Sequence, residues 1–253
     1  MTNGFLLIDK DLGMTSSRVV QVVKKKFQFK KVGHLGTLDP MATGLLILAI
    51  NRGTKFSSLL LESHKSYAAE VTLGIQTDTD DAEGEKILSR SVTCNNEETK
   101  QMLLSFLGSS KQKPPIYSAL KVNGKPMYKY ARQGVKVEKA SRNIEIQTIE
   151  NISINLPRIS FEVSCSKGTY IRSIARDLGE LLGCGGHLSA LKRLTQQDFL
   201  LKDAKKIDAI NELDIIPLEL AFNHLESVNI PEEQLKKFIN GSAVDLGLSK
   251  NSL

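Results

Sequence analysis

Residues 33–50, GHLGTLDPMATGLLILAI, join a loop with three glycines, one proline and one acid to the longest apolar run of the chain. The run, Leu45–Ile50, has the length of a buried strand. A carboxylate in such a loop can be held by a rigid scaffold while it stays open to a cleft. Spacing alone favours a simpler interpretation, in which Asp39 caps a turn before Pro40.

Further helices and strands are indicated along the chain. Apolar spacing and capping residues predict strands at Phe5–Ile8 and Tyr67–Leu73, and helices following Thr15, over Tyr170–Leu182 and over Lys202–Leu213. Helices and strands alternate without a regular βαβ rhythm, and no phosphate-binding loop follows a strand. The pattern therefore predicts an α+β fold with a mixed, mostly antiparallel sheet and flanking helices.

Composition excludes several classes of protein. The chain has 253 residues, of which 41% are hydrophobic and 25% charged, as in a water-soluble globular protein. No apolar run reaches the roughly 18 residues that a membrane helix needs, and the start lacks the pattern of a signal peptide. The three cysteines are far apart and lack metal-ligand spacing, so we expect free thiols in a cytoplasmic protein.

The positive charge is concentrated in one segment. The chain carries a net charge of +6, yet residues 111–142 alone hold nine Lys/Arg and one acid, Glu138, a local net of +8. Tyrosines are interleaved with these bases at Tyr117, Tyr128 and Tyr130. Such a segment is suited to grip the phosphates of a nucleic acid, although a solvated lysine-rich loop would have a similar composition.

Several motifs resemble one enzyme family in the same order. Gly36–Pro40 followed by Ala42–Leu46 is similar to the catalytic-aspartate motif of the bacterial tRNA pseudouridine synthases that modify uridine 55 in the T-loop, the TruB family. Lys65–Tyr67 and Gly168–Gly179 match further motifs, and the resemblance covers residues 4–225. Asp11 and Gln197 depart from the family pattern, which commonly has proline and glycine there, but both lie outside the aspartate motif.

The resemblance implies a reaction and three catalytic residues. The family breaks the N1–C1′ bond of uridine, turns the uracil, and rejoins it to the sugar through C5, after flipping the base out of the folded loop. Asp39 would be the essential carboxylate, Tyr67 would stack on the flipped base, and Arg172 would pair with Asp39. We expect this cation to hold down the pKa of Asp39 in a water-poor pocket.

The same resemblance implies further contacts with RNA. His34 would occupy the space that flipped bases vacate, Lys55 would contact phosphate or the side of the pocket, and Tyr170 and Leu191 would line the pocket. Within the basic segment, Lys121, Lys125 and Tyr128 would clamp the T-loop. We predict no metal site, and we interpret the acidic run Asp78–Asp81 as a surface loop because it lacks a complete calcium-binding pattern.

The predicted organisation is a catalytic domain over residues 1–225, with an RNA-gripping insertion at about 111–142. Residues 226–253 would form a short tail resembling a truncated RNA-binding barrel of the PUA type. We expect tRNA as the partner, no cofactor, no required protein partner and a monomer. Two alternatives remain: a guide-dependent synthase with the same aspartate motif, and a non-catalytic RNA-binding protein on the same scaffold.

Overall fold

A computed structural model of the chain describes residues 2–61, 63–118, 120–122, 124–127, 130, 133, 135, 140–223, 225–226 and 228–244. Thirteen strands lie within these ranges: β1 Gly4–Lys10, β2 Val32–His34, β3 Ala42–Ile50, β4 Lys65–Leu73, β5 Ile75–Thr77, β6 Lys86–Ser89, β7 Gly108–Gln112, β8 Lys121–Val122, β9 Lys125–Pro126, β10 Arg142–Asn155, β11 Arg158–Cys165, β12 Gly186–Gln196 and β13 Phe199–Leu200. The α-helices of the same ranges are α1 Ser16–Lys26, α2 Ser57–Leu61, α3 Asn96–Leu104, α4 Ile171–Leu181, α5 Leu218–Ala221 and α6 Glu232–Ile239. None of these helices is long and apolar enough to cross a bilayer.

Within the described residues, nine strands form one sheet that carries the fold. Its main path runs β1-β3-β12-β4-β11-β10-β7, while β2 pairs with β3 and β13 pairs with β12. The pairing of β12 with β3 is parallel, and the other pairings in this sheet are antiparallel. The predicted mixed, mostly antiparallel α+β fold is therefore confirmed.

Strand β3 is buried on both faces of the sheet. Leu46, Leu48 and Ile50 belong to the larger hydrophobic cluster, while Leu45 and Ile47 belong to a second cluster on the opposite face. A strand covered on both sides needs apolar residues at every position, which is why this segment reads as an uninterrupted apolar run. The loop before β3 is consequently anchored to the most rigid part of the molecule.

The helix predicted over Lys202–Leu213 is wrong. This segment instead passes along the outer edge of β1, where the Lys205 amide donates to the Leu7 carbonyl at 3.2 Å and the Asp9 amide donates to Lys205 at 2.9 Å. Ile207 and Ile210 are buried in the larger cluster. Pairing with an exposed sheet edge satisfies the backbone that a helix would otherwise satisfy internally.

Helices α1 and α4 pack against the sheet next to the loop that precedes β3. Helix α1 begins after Thr15, whose hydroxyl accepts a hydrogen bond from the Arg18 amide, as the sequence predicted. Helix α4 matches the predicted helix over Tyr170–Leu182 to within one residue at each end. It packs Ile171, Ile174 and Leu178 into the larger cluster.

Candidate active site

The loop that carries Asp39 is held by strand β3, by the start of helix α1 and by Lys10 of β1. The Leu35 amide donates to the Ile47 carbonyl of β3 at 2.9 Å. At the start of α1, the Ser16 hydroxyl donates to the carbonyl of Leu38 and accepts from its amide, at 3.0 and 2.9 Å. These bonds fix the backbone immediately before the carboxylate.

Lys10 supports the other side of the loop. Its side chain is fully buried, and Nζ donates to the carbonyls of Asp11, Met14 and Pro40 at 3.0, 2.7 and 3.4 Å. Burial lowers the pKa of Lys10 to about 8, against the opposing attraction of Asp39. The lysine thus closes the turn on which Asp39 stands and adds a nearby positive charge.

Asp39 forms an ion pair with Arg172. Arg172 Nε lies 3.0 Å from Asp39 Oδ2, and the arginine side chain is only 5% exposed, whereas that of Asp39 is 34% exposed. Arg172 is itself fixed, because Nη1 donates to the Thr79 carbonyl at 3.0 Å and Nη2 to the Tyr117 carbonyl at 2.9 Å. The planar guanidinium can satisfy these partners together, and an ammonium could not.

The pKa of Asp39 is raised rather than lowered. Burial is the largest cause, Arg172 and Lys10 act in the opposite direction, and the neighbouring Asp81 adds to the increase. The expectation that Arg172 holds down the pKa of Asp39 is therefore wrong for the net direction, although the contribution of Arg172 has the predicted sign. Asp39 becomes a carboxylate only above this raised pKa.

The acidic run Asp78–Asp81 is not a surface loop as predicted. Asp80 and Asp81 are 7% and 3% exposed. Asp81 Oδ2 lies 3.4 Å from Arg172 Nη1, and Asp80 Oδ2 lies 3.0 Å from Nη1 of Arg176, one turn further along α4. The two aspartates thereby tie helix α4 to this loop, and Arg172 is shared between two carboxylates.

Tyr67 lies in β4 with its ring inside the site. It is 8% exposed, and burial is the main cause that raises the pKa of its phenol. Its partner across the sheet is Arg193 of β12, whose positive charge opposes part of this increase in the pKa. No role was predicted for Arg193 from the sequence.

These side chains surround one cleft of about 270 Å³. Three of the predicted pocket residues, Tyr67, Tyr170 and Leu191, lie in its wall together with Asp39 and Arg172. The remaining wall residues are Gly36, Thr37, Leu38, Leu61, Lys65, Ser118, Gly168, Thr169, Ile171 and Arg193. The wall of the cleft thus combines apolar side chains with the charged groups of Asp39, Arg172, Lys65 and Arg193.

Tyr170 is oriented by its neighbours. Its amide donates to Gln112 Oε1 at 2.8 Å, and its carbonyl accepts from Gln112 Nε2 at 3.0 Å. The Arg142 guanidinium lies 5.1 Å from the centre of the tyrosine ring. Both contacts join the start of α4 to the strands that flank the basic segment.

Two predicted RNA-contacting residues lie outside the cleft wall. His34 is half-buried in β2, and its pKa is lowered by burial and by the charge of Arg193. Lys55 is exposed and lines a separate surface pocket with Lys30, Lys31 and Arg52. The structure therefore does not place either residue against Asp39, and their contacts with RNA stay predictions.

The predicted basic hairpin is present in its backbone. Strands β8 and β9 pair antiparallel, with Lys121 opposite Pro126 and Val122 opposite Lys125. Tyr128 lies outside the described residues, and so do the side chains of Lys121 and Lys125. Their proposed contacts with RNA stay predictions.

Sequence reasoning missed Asp81 and Arg193. Asp81 was missed because a run of acids suggests solvent exposure, and no sequence feature opposes that suggestion. Arg193 had a usable signal, because Lys192 and Arg193 alternate in a strand and one of the two must face the interior. Lys192 is exposed and Arg193 is 1% exposed.

Comparison with known proteins identifies the family. Residues 24–171 match the TruB family pseudouridylate synthase N-terminal domain, and residues 172–238 match the tRNA pseudouridylate synthase B C-terminal domain. A tRNA pseudouridine synthase B of Alkaliphilus oremlandii is 45% identical over 96% of this chain and 83% of its own. One of Clostridium kluyveri is 44% identical over 96% and 85%.

Solved structures agree with this assignment. The crystal structure of a Cbf5-Nop10-Gar1 complex superposes with a TM-score of 0.72 and 27% identity, covering 94% of this chain and 67% of that one. An H/ACA RNP bound to a substrate RNA containing 2′-deoxyuridine gives 0.70 and 25%, covering 95% and 67%. With a family model over more than half of its length and relatives above 40% identity, the chain belongs to the TruB family of pseudouridylate synthases.

Proposed function

We propose that the protein is a stand-alone tRNA pseudouridine synthase that converts uridine 55 of the T-loop into pseudouridine, with Asp39 as the essential carboxylate. The observation that carries the proposal is the ion pair of Asp39 with Arg172 at a cleft that includes Tyr67. The relatives named tRNA pseudouridine synthase B supply the substrate class.

The reaction assigns a simple task to Asp39. The N1–C1′ and C5–H bonds break and the C5–C1′ and N1–H bonds form. The proton that leaves C5 is matched by one that N1 gains, so the product is an isomer of the substrate. Cleavage leaves an electron-deficient sugar carbon, which a carboxylate can stabilise, attack or deprotonate at its neighbour, as in glycoside chemistry. Each of these routes needs the ionised form of Asp39, and therefore a pH above its raised pKa.

Arg172 would keep the carboxylate aimed and charged. Its two hydrogen bonds to carbonyls of Thr79 and Tyr117 hold the guanidinium before substrate arrives. A preorganised charge costs no reorganisation during the reaction, and it acts most strongly where water is excluded. This arrangement supports a catalytic role for Arg172 beyond that of an ordinary structural ion pair.

Tyr67 would receive the flipped uracil. Stacking of a base on an aromatic ring is worth about 1–3 kcal/mol, enough to offset much of the cost of unstacking it from the RNA. Leu191 and Tyr170 would complete the wall around the base. Tyr67 would also take part in proton transfer at C5, a role that the position of its buried phenol beside Arg193 supports.

The surrounding surface would hold the T-arm. We assign the catalytic domain to residues 1–225 and the RNA clamp to the insertion at about 111–142, where Lys121, Lys125 and Tyr128 would act. His34 and Lys55 would meet RNA beyond the cleft. The net charge of +6 supports a polyanionic partner, and the free cysteines support a reducing cytoplasm.

A guide-dependent synthase is the second candidate, because the Cbf5-Nop10-Gar1 complex and the H/ACA RNP superpose well on this chain. Tritium release from a tRNA transcript labelled at C5 of uridine separates the two. The purified protein alone should release tritium from the wild-type transcript and not from one with cytidine at position 55. Release only after addition of a guide RNA and partner proteins would overturn the proposal of stand-alone activity.

A further inference from the structure

Arg193 is the largest fully buried side chain of the described residues. It lies in β12 and is 1% exposed. Its Nε donates to the Leu45 carbonyl at 2.7 Å, and Nη2 donates to the Gly36 carbonyl at 3.1 Å. One guanidinium therefore ties the start of β3 to the bend of the loop that carries Asp39.

The same guanidinium lies beside Tyr67. Arg193 and Tyr67 are directly opposite in the antiparallel pair of β12 and β4, so their side chains lie on the same face of the sheet. Both side chains line the cleft. Arg193 thus hydrogen-bonds to the aspartate loop and faces the base-binding ring, without an ion pair to Asp39.

The charge of Arg193 is not neutralised by a direct partner. Across the described part of the chain, no carboxylate lies within ion-pair distance of it. Its ionisable neighbours include two further bases, His34 and Lys65, whose pKa values are lowered first by burial and then by the charge of Arg193. A buried charge without a counterion costs free energy of folding, and an apolar side chain would pack the same space without that cost.

We propose that Arg193 is a positioning residue for pseudouridine formation, whose guanidinium holds the Gly36 carbonyl and lies beside the Tyr67 side chain, and so keeps the base-binding ring and the Asp39 loop in one geometry. The proposal rests on the proposed function of the cleft. Strand β12 would then contribute this positioning residue to the site, in addition to Leu191 in the cleft wall. The polar network also explains why Gly36 is suited to its place: its φ of +99° turns its carbonyl toward the guanidinium without the strain that a side chain would add.

Removal of the guanidinium has a distinct expected signature. Arg193→Met keeps a long unbranched side chain but leaves the Leu45 and Gly36 carbonyls without their donor and removes the charge beside Tyr67. We expect kcat for tritium release to fall at least tenfold, while KM and the Kd for tRNA change less than threefold. The ¹³Cζ resonance of Tyr67, assigned by its loss in Tyr67→Phe, should shift at neutral pH because the neighbouring guanidinium is gone.

Thr195→Val is the matched control. Thr195 lies two residues further along β12 and exchanges a hydrogen bond of 2.8 Å with Ser66 of β4, but it is absent from the cleft wall. It should lower the melting temperature without moving the Tyr67 resonance or kcat. If Arg193→Met does not fold, Arg193→Gln, which keeps one amide donor and removes the charge, carries the same two readouts.

Two results would overturn the proposal. One is a folded Arg193→Met or Arg193→Gln with kcat at the wild-type level. The other is a fall in kcat with the Tyr67 resonance unmoved, which would indicate a purely structural role. If the wild-type protein released no tritium, the proposed function would fail, whereas the Tyr67 resonance would still test the contact itself.

Discussion

Replacement of Arg172 by lysine should slow the chemistry much more than it weakens RNA binding. At an effective dielectric constant of about 20, opposite charges at the observed 3.0 Å attract by about 5 kcal/mol, and a retreat of about 2 Å removes about 2 kcal/mol. Because a third of the Asp39 side chain is exposed, solvent screening roughly halves that loss. About 1 kcal/mol remains, which raises the pKa of Asp39 by somewhat less than one further unit.

Lost geometry adds to this change in charge. Lysine cannot donate to the carbonyls of both Thr79 and Tyr117 while it faces Asp39, and a hydrogen bond from a charged donor is worth about 1.5–3 kcal/mol. We therefore expect kcat at neutral pH to fall by about 10- to 100-fold. Part of the loss should be recovered at higher pH, because the ionisation of Asp39 moves upward.

The assay is single-turnover tritium release across a pH series, with the Kd for tRNA measured in parallel. Arg176→Lys is the matched control, since Arg176 lies one turn along α4, is also paired with a buried aspartate, and lacks a contact with Asp39. It should lower thermal stability and leave the acidic limb of the pH profile in place. If the Arg172→Lys enzyme had a wild-type kcat and the acidic limb of its pH profile were not shifted, Arg172 would not set the charge state of Asp39.

Three further predictions concern stability and RNA binding. Asp39→Asn should melt about 1–3 °C above wild type near neutral pH. The pKa of Asp39 is raised in the folded state, so the stability of the wild type falls as the pH rises from the unfolded-state pKa to the folded-state pKa. Scanning calorimetry should therefore find that the difference in melting temperature vanishes below this pH range. Exchange of Lys121 and Lys125 for glutamine should reduce the slope of the logarithm of the binding constant for tRNA against the logarithm of salt concentration by about 0.7–0.9 for each lost phosphate contact. An unchanged slope in a filter-binding titration would show that these lysines do not contact RNA. Gly44→Ala should cost about 1–3 kcal/mol more in urea unfolding than Gly13→Ala, because both glycines have positive φ but only at Gly44 would the new Cβ lie 2.4 Å from a carbonyl oxygen of β12; equal costs would argue against that close approach.

The sequence predicted those features that leave a local pattern. Strand β3 is recognisable because burial on both faces requires an unbroken apolar run, and α4 because its apolar residues recur at helical spacing. The segment over Lys202–Leu213 has a similar spacing, yet pairing with the free edge of β1 overrides it. Local spacing does not reveal a free strand edge elsewhere in the chain.

The site was predictable only in part, because its members are distant in sequence. Asp39 and Arg172 were joined by a resemblance between motifs, since no spacing rule links residues on a loop and on a later helix. Asp81 was misjudged because its burial depends on Arg172, which neutralises it from another element. The raised pKa of Asp39 could not be foreseen either, because burial and three neighbouring charges compete to set it.

Single-turnover tritium release by Asp39→Asn tests the central claim most directly. The variant keeps the size of the side chain and loses its charge, so it should bind the tRNA transcript with a Kd within about threefold of wild type. With enzyme in excess and RNA saturated, we predict no release above background at any pH at which wild type reacts. Release at a rate near that of wild type would contradict the account, because the carboxylate of Asp39 would then not be the group that carries the chemistry.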